Sequence, residues 1–179
     1  MDRIRLKDKT FELFITDSEI QKAAAVMAHQ IKQDVGDKNP LFVAILNGAF
    51  MFASDLMSAL DDAYQITFAR YSSYKGLDST GEIHEIMPVQ EDLTGRTVIL
   101  IEDVIDTGFT MDLVIKKFKS QGAVDVRLAT MLFKPEALKC KITPDYVGLP
   151  IPIEFIVGHG LDYDGLGRAY KDIYKIVES

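Results

Sequence analysis

Residues 98–111 read VILIEDVIDTGFTM, and the order of those residues decides the fold class. Val98, Ile99, Leu100 and Ile101 form a short apolar run, the mark of a strand buried on both faces. Glu102, Asp103 and Asp106 follow at once, so an acidic loop is expected where the strand ends. Thr107-Gly108 is a turn signal. Met111, Val114, Ile115 and Phe118 then recur at helical spacing, and Gly122 closes the run as a C-terminal cap. The stretch reads strand, loop, helix. In parallel α/β sheets that junction is where ligands bind. Free N–H groups in the loop and at the helix N-terminus suit a phosphate. Two adjacent carboxylates suit paired hydroxyls, because an ionised carboxylate only accepts hydrogen bonds.

Outward from this stretch, strands and helices alternate. Residues 11–15 are an extended entry, and Thr16 with Glu19 forms a capping-box pattern before Ile20, Ala24, Met27 and Ile31 at helical spacing. Gly36 and residues 37–40 end that helix. Residues 41–46 (LFVAIL) are a second buried strand, Asn47-Gly48 a tight break, and residues 51–60 a buried helix. Residues 64–71 and 84–89 read as strands around a long polar loop, 72–81. Residues 124–133 are a further strand. Residues 135–152, with four prolines, are expected to be irregular. Residues 155–157 and 173–177 close the chain as short strands. Such alternation predicts a parallel sheet covered by helices on both faces.

A chain of 179 residues with 47% apolar content can bury one full core. No apolar run approaches the roughly 20 residues of a membrane span. The opening MDRIRLKDKT lacks the apolar segment of a secretory signal, and Cys140 stands alone, which together favour the cytoplasm. A net charge of −7 argues against a broad nucleic-acid footprint. Competing phosphate motifs fail. No Walker A run exists, Asp103 and Asp106 do not make a D-x-D pair, and Gly158-His159-Gly160 is followed by Tyr163 where a dinucleotide fingerprint needs glycine. His29 and His84 show no metal-ligand spacing.

Residues 102–110, EDVIDTGFT, behind an apolar strand, resemble the phosphoribosyl-pyrophosphate (PRPP) motif of type I phosphoribosyltransferases, in the form of the hypoxanthine-guanine branch. The resemblance implies an α/β chain of type I phosphoribosyltransferase fold: a central, mostly parallel sheet flanked by helices, with a small hood over the site. It implies one domain over residues 1–179, a mobile loop at about 72–82, and a base-binding hood made by the C-terminal part and the N-terminal segment.

The same resemblance assigns roles. Glu102 and Asp103 would hold the ribose hydroxyls. Asp106, Thr107, Gly108, Phe109 and Thr110 would cradle the 5′-phosphate, with Asp106 also the catalytic proton acceptor near N7 of the base. Leu46-Asn47-Gly48 is similar to the family's pyrophosphate loop, in which the bond after Leu is cis, but Asn47 stands where the family has a basic residue. Asn47, Gly48 and Arg168 are the pyrophosphate residues so implied. Ser73 and Tyr74 resemble the Ser-Tyr pair of the lid. Lys134 would donate to O6 of a purine, Phe155 would stack on its ring, Ile156 would offer backbone groups, and Asp162 would lie near the base. Mg²⁺ is the implied cofactor, close to Glu102, Asp103 and Asp162. His159 reads as structural.

The implied reaction joins hypoxanthine or guanine to PRPP, giving IMP or GMP and pyrophosphate, in purine salvage. The expected partners are PRPP and a purine base, with no nucleic acid and no membrane, in a homodimer or homotetramer. Two alternatives stay open: a related transferase for xanthine or a pyrimidine, and a PRPP-sensing regulator that binds nucleic acid. Acidic net charge argues against the regulator.

Overall fold

The apolar runs of the sequence become the centre of a six-stranded sheet. The computed structural model describes residues 3–73 and 83–177. In chain order the elements are β1 (Arg3–Leu6), β2 (Lys9–Ile15), α1 (Asp17–Val35), β3 (Leu41–Leu46), α2 (Phe50–Leu60), β4 (Gln65–Ser73), β5 (Ile83–Met87), β6 (Thr97–Ile105), α3 (Phe109–Ser120), β7 (Asp125–Phe133), β8 (Tyr146–Pro150), β9 (Ile156–Val157) and β10 (Ile173–Ile176). The larger sheet has the order β5-β4-β3-β6-β7-β8. Its pairs are parallel except β4 with β5.

Side-chain alternation on β3 and β6 splits the core in two. Phe42, Ala44, Ile99 and Ile101 face α1 and α2, meeting Ile20, Met27, Ile31, Phe52 and Leu56. Val43, Val98 and Leu100 face α3, meeting Met111, Val114 and Phe118. Burying both faces of these strands is what their unbroken apolar runs require. The capping box forms: the Glu19 N–H donates to Thr16 Oγ1 at 3.4 Å and the Thr16 N–H to Glu19 Oε2 at 2.9 Å. At the end of α3, Gly122 takes φ +96°, and its N–H and that of Ala123 bond back to Lys119 and Phe118 carbonyls at 3.1 and 3.2 Å. This is a Schellman stop, which favours glycine at the left-handed position.

Four local expectations change. The central strand does not end before the acids; β6 runs on through Glu102 and Asp103 to Ile105, because β7 continues beside it and pairs Glu102 with Thr130 and Ile105 with Phe133. The proline-rich 135–152 segment is not wholly irregular, since β8 adds to the sheet edge, where Pro150 costs no ladder bond on the outer side. β4 continues through Ser72 and Ser73, which the sequence placed in the loop. Phe155 precedes its strand rather than starting it.

The second sheet, β1-β2-β10-β9, is antiparallel and joins the two ends of the chain. Its own small core is Leu6, Phe11, Val157 and Tyr174. It stands over the C-terminal edge of the larger sheet through the Phe155–Leu161 segment, whose residues line a cavity with Gly48 and Asp103. Among the described residues no helix is long and apolar enough to cross a membrane.

Candidate active site

Two cavities open at the C-terminal ends of β3 and β6 and share a wall of Gly48, Asp103, Val104 and Asp106. The first, about 280 Å³, is lined also by Leu46, Tyr71, Glu102, Thr107, Gly108 and Thr110. The second, about 380 Å³, lies under the hood and is lined also by Lys134, Glu154, Phe155, Ile156, Asp162 and Arg168.

Extension of β6 through the acids fixes their carboxyls. The Asp103 N–H donates to Glu102 Oε1 at 3.1 Å, and the Val104 N–H to Asp103 Oδ1 at 2.7 Å. Protein encloses both groups on most sides, and each keeps a partial opening to the cavity. Burial first, then the neighbouring Asp103, pushes the Glu102 carboxyl well above the usual carboxylate range. Burial also raises Asp103, against the pull of hydrogen bonds from Glu102 and Val104 and of the Arg168 charge. Both acids therefore sit where a cation or a pair of donating hydroxyls relieves them.

Beyond Ile105 the chain turns sharply into α3. Gly108, at φ +82°, precedes the helix with no side-chain cap. A Cβ there would crowd Cys140, Leu138 and Ile142, so the loop is pressed onto the 138–142 segment. The uncapped N-terminus of α3 borders the first cavity through Thr107, Gly108 and Thr110, where its free N–H groups suit an anion. Phe109, by contrast, is exposed and does not line either cavity.

Across the cavity, the Leu46–Asn47 bond is cis. Gly48 follows, so close to β6 that a Cβ would overlap the Asp103 carboxylate. That contact explains the glycine better than turn geometry does. Asn47 is exposed and lies outside the lining of both cavities, although Gly48 lines both.

In the second cavity Lys134, 7% exposed, reaches Asp106 Oδ2 at 3.1 Å. Phe155 is 47% exposed, so it is not a core aromatic; its ring rests on Phe11 (6.2 Å) and edge-on to Tyr163 (5.9 Å). Ile156 is buried in β9 beside β10. Asp162 accepts from the Gly165 N–H at 2.7 Å and pairs with Arg168 at 2.7 Å, while Arg168 also donates to Gly160 O at 2.6 Å. Ser73 ends β4, and Tyr74 lies outside the described residues.

Sequence reading did not single out Tyr71 or Glu154 as wall residues. Tyr71 donates to Glu85 at 3.2 Å, and burial, then Glu85, pushes its phenol up. Nothing in its local pattern distinguishes it from any strand aromatic.

Among the described residues no group of three or more His, Cys, Asp or Glu is placed to hold a metal by itself. Oxygen donors are nonetheless present in Glu102, Asp103 and Asp162. Such a sparse set fits Mg²⁺, which takes one or two carboxylates and draws its other ligands from water and phosphate oxygens.

Residues 15–164 match the phosphoribosyl transferase domain family. The chain is similar to a hypoxanthine-guanine phosphoribosyltransferase of Streptococcus pneumoniae, 38% identical over 88% of each chain. A solved hypoxanthine phosphoribosyltransferase of Staphylococcus aureus superposes with a TM-score of 0.88 at 35% identity, covering 93% of this chain and 91% of that one. A hypoxanthine-guanine phosphoribosyltransferase of Bacillus anthracis gives 0.88 at 32% identity, over 93% and 98%. With the acidic strand end, the open helix N-terminus and the hooded second cavity, these likenesses place the chain in the phosphoribosyl transferase domain family, on the hypoxanthine-guanine phosphoribosyltransferase branch.

Proposed function

We propose that the protein transfers the phosphoribosyl group of PRPP to a 6-oxopurine, hypoxanthine or guanine, giving IMP or GMP and pyrophosphate. The observation that carries this reading is the shared wall. Asp106 belongs at once to the cavity with the open α3 N-terminus and to the cavity holding Lys134 and Phe155. A phosphorylated sugar in the first cavity and a flat base in the second would meet there.

Glu102 and Asp103 accept hydrogen bonds from the ribose hydroxyls, and the 106–110 turn holds the 5′-phosphate. Phe155 stacks on the base, the Ile156 backbone meets its edge, and the Lys134 ammonium donates to O6. An ammonium only donates, so an oxo group is favoured over an amino group. N9 of the base bonds to C1 of the ribose as the bond from C1 to the pyrophosphate oxygen breaks. The base releases its proton to Asp106, half exposed at the wall between the cavities. Gly48 and Arg168, with the backbone of the Asn47 loop, receive the pyrophosphate. Glu102, Asp103 and Asp162 would hold Mg²⁺, whose charge would offset that of the leaving pyrophosphate. The functional unit is a homodimer or homotetramer in the cytoplasm, checked by light scattering and cell fractionation.

The test is PRPP- and Mg²⁺-dependent conversion of hypoxanthine, guanine, xanthine and adenine. Turnover of hypoxanthine or guanine without adenine is expected. Preference for xanthine would move the protein to a sister activity.

A further inference from the structure

Three consecutive left-handed residues, Gly158 (φ +98°), His159 (+48°) and Gly160 (+97°), carry the chain from the hood back over the pyrophosphate end of the site. His159 is 3% exposed, and the reaction chemistry above gives it no part. Its N–H donates to Tyr170 O at 2.7 Å, and the Gly160 N–H to Arg168 O at 2.9 Å. The ring Nδ1 lies 3.0 Å from Lys171 O. A carbonyl only accepts, so Nδ1 carries the hydrogen in that contact. The other ring nitrogen, Nε2, faces Oδ2 of Asp55 on α2 at 2.9 Å. Both atoms are buried, and neither has an aligned hydrogen-bond partner. Among the described residues no Lys or Arg ion pair joins residues 41–150 to residues 151–177, so this contact is the one close approach of a titratable pair between them.

The pair stands where two halves of the pyrophosphate end meet. Helix α2 starts at Phe50, with Ala49 as its N-cap after Asn47-Gly48. On the other side, Gly160 presses against that loop so closely that a Cβ would overlap the Gly48 carbonyl oxygen. The Gly160 carbonyl in turn accepts from Arg168 Nη1. Of the described residues lining the two cavities, only Lys134 and Arg168 are Lys or Arg, and Lys134 is engaged by Asp106. Asn47 brings no charge. Arg168, the other cation, is held from two sides, by the Asp162 carboxylate at 2.7 Å and by the Gly160 carbonyl at 2.6 Å, so its placement depends in part on Gly160.

We propose that His159, through its contact with Asp55, is a positioning residue for pyrophosphate: it pins Gly160 onto Gly48 and so sets the Arg168 guanidinium. The proposal rests on the phosphoribosyltransferase reading of the site. Wild-type turnover of PRPP is the control for that reading, and only the variants speak to the positioning.

The test is steady-state kinetics in both directions on Asp55→Leu, His159→Phe and Asp55→Asn. An amide N–H in Asp55→Asn can donate to Nε2 of a neutral imidazole, so the tie survives there. Asp55→Leu and His159→Phe should raise KM for PRPP and for pyrophosphate about tenfold or more, with KM for the base and kcat within about threefold. Asp55→Asn should stay within about threefold of wild type throughout. Equal losses for base and pyrophosphate, an unchanged KM for pyrophosphate, or an Asp55→Asn variant as impaired as Asp55→Leu would overturn the proposal. A second measurement needs no folded variant of the pair. In the wild-type protein the His159 ring ¹⁵N resonances should move on adding Mg²⁺-pyrophosphate and stay still with purine alone. Resonances that ignore pyrophosphate would equally overturn it.

Discussion

The Lys134 ammonium stands 3.1 Å from Oδ2 of Asp106, and the lysine is nearly buried while the aspartate is half exposed. One side chain thereby serves two needs. It holds the proposed proton acceptor at the wall between the cavities, and it puts a donor-only group in the cavity proposed for the base. Lys134→Gln replaces that group with an amide that both donates and accepts. Hydrogen bonds to charged groups contribute about 1.5–3 kcal/mol, so the preference for hypoxanthine over adenine should fall by about ten- to a hundredfold. Competition between the two bases at fixed PRPP measures it; an unaltered ratio would mean that O6 is read elsewhere.

A second prediction follows from Glu102. Its carboxyl is pushed well above the ordinary range, by burial first and then by Asp103. A raised folded-state value means that the folded protein binds this proton more tightly than the unfolded chain does. The associated stability is fully present below the unfolded value and is lost as pH rises through the folded one. Glu102→Gln removes that loss. Its melting temperature should match wild type near pH 4 and exceed it increasingly toward neutral pH. Binding should go the other way, because the amide cannot replace a charged acceptor for the ribose hydroxyl. The stabilising shift from Mg²⁺-PRPP should shrink in the variant. Thermal melts across pH, with and without ligand, give both results.

The strand–loop–helix core of the site was legible because its signals are local. An apolar run, a cluster of acids and a glycine each state their own conformation within a few residues. The extra length of β6 was not legible, since Glu102 and Asp103 are poor strand formers and pair only because β7 continues beside them. β8 was hidden by its prolines, whose cost vanishes at a sheet edge. Gly48 read as a turn, yet the requirement comes from Asp103 on another strand. The contact of Asp55 with His159 joins a helix to a distant loop, and no periodicity announces it.

The third prediction addresses the phosphate turn. Thr110 lies in the first turn of α3, which no side chain caps, and it lines the first cavity. Thr110→Val keeps the shape and deletes the hydroxyl. PRPP binding should weaken by about 1.5–3 kcal/mol, while base binding to the free enzyme holds. Titration calorimetry with PRPP and Mg²⁺ checks it, and unchanged affinity would displace the 5′-phosphate from this turn.

The last prediction separates recognition from packing at Phe155. A core phenylalanine replaced by a smaller residue costs several kcal/mol, because buried contacts are lost and a cavity remains. Phe155 is 47% exposed, contacts Phe11 and Tyr163, and lines the second cavity. Phe155→Leu should therefore leave the melting temperature within a few degrees of wild type. The aromatic face is what a purine would use, and aromatic pairs contribute about 0.5–1.5 kcal/mol beyond burial. KM for hypoxanthine and guanine should rise by roughly two- to tenfold, with KM for PRPP held. Phe11→Leu is the contrast. Phe11 is wholly buried in the hood core, so its loss should lower the melting temperature strongly. If Phe155→Leu destabilises as much as Phe11→Leu, the ring is there for the hood. If stability holds and the base KM rises, the ring is there for the purine.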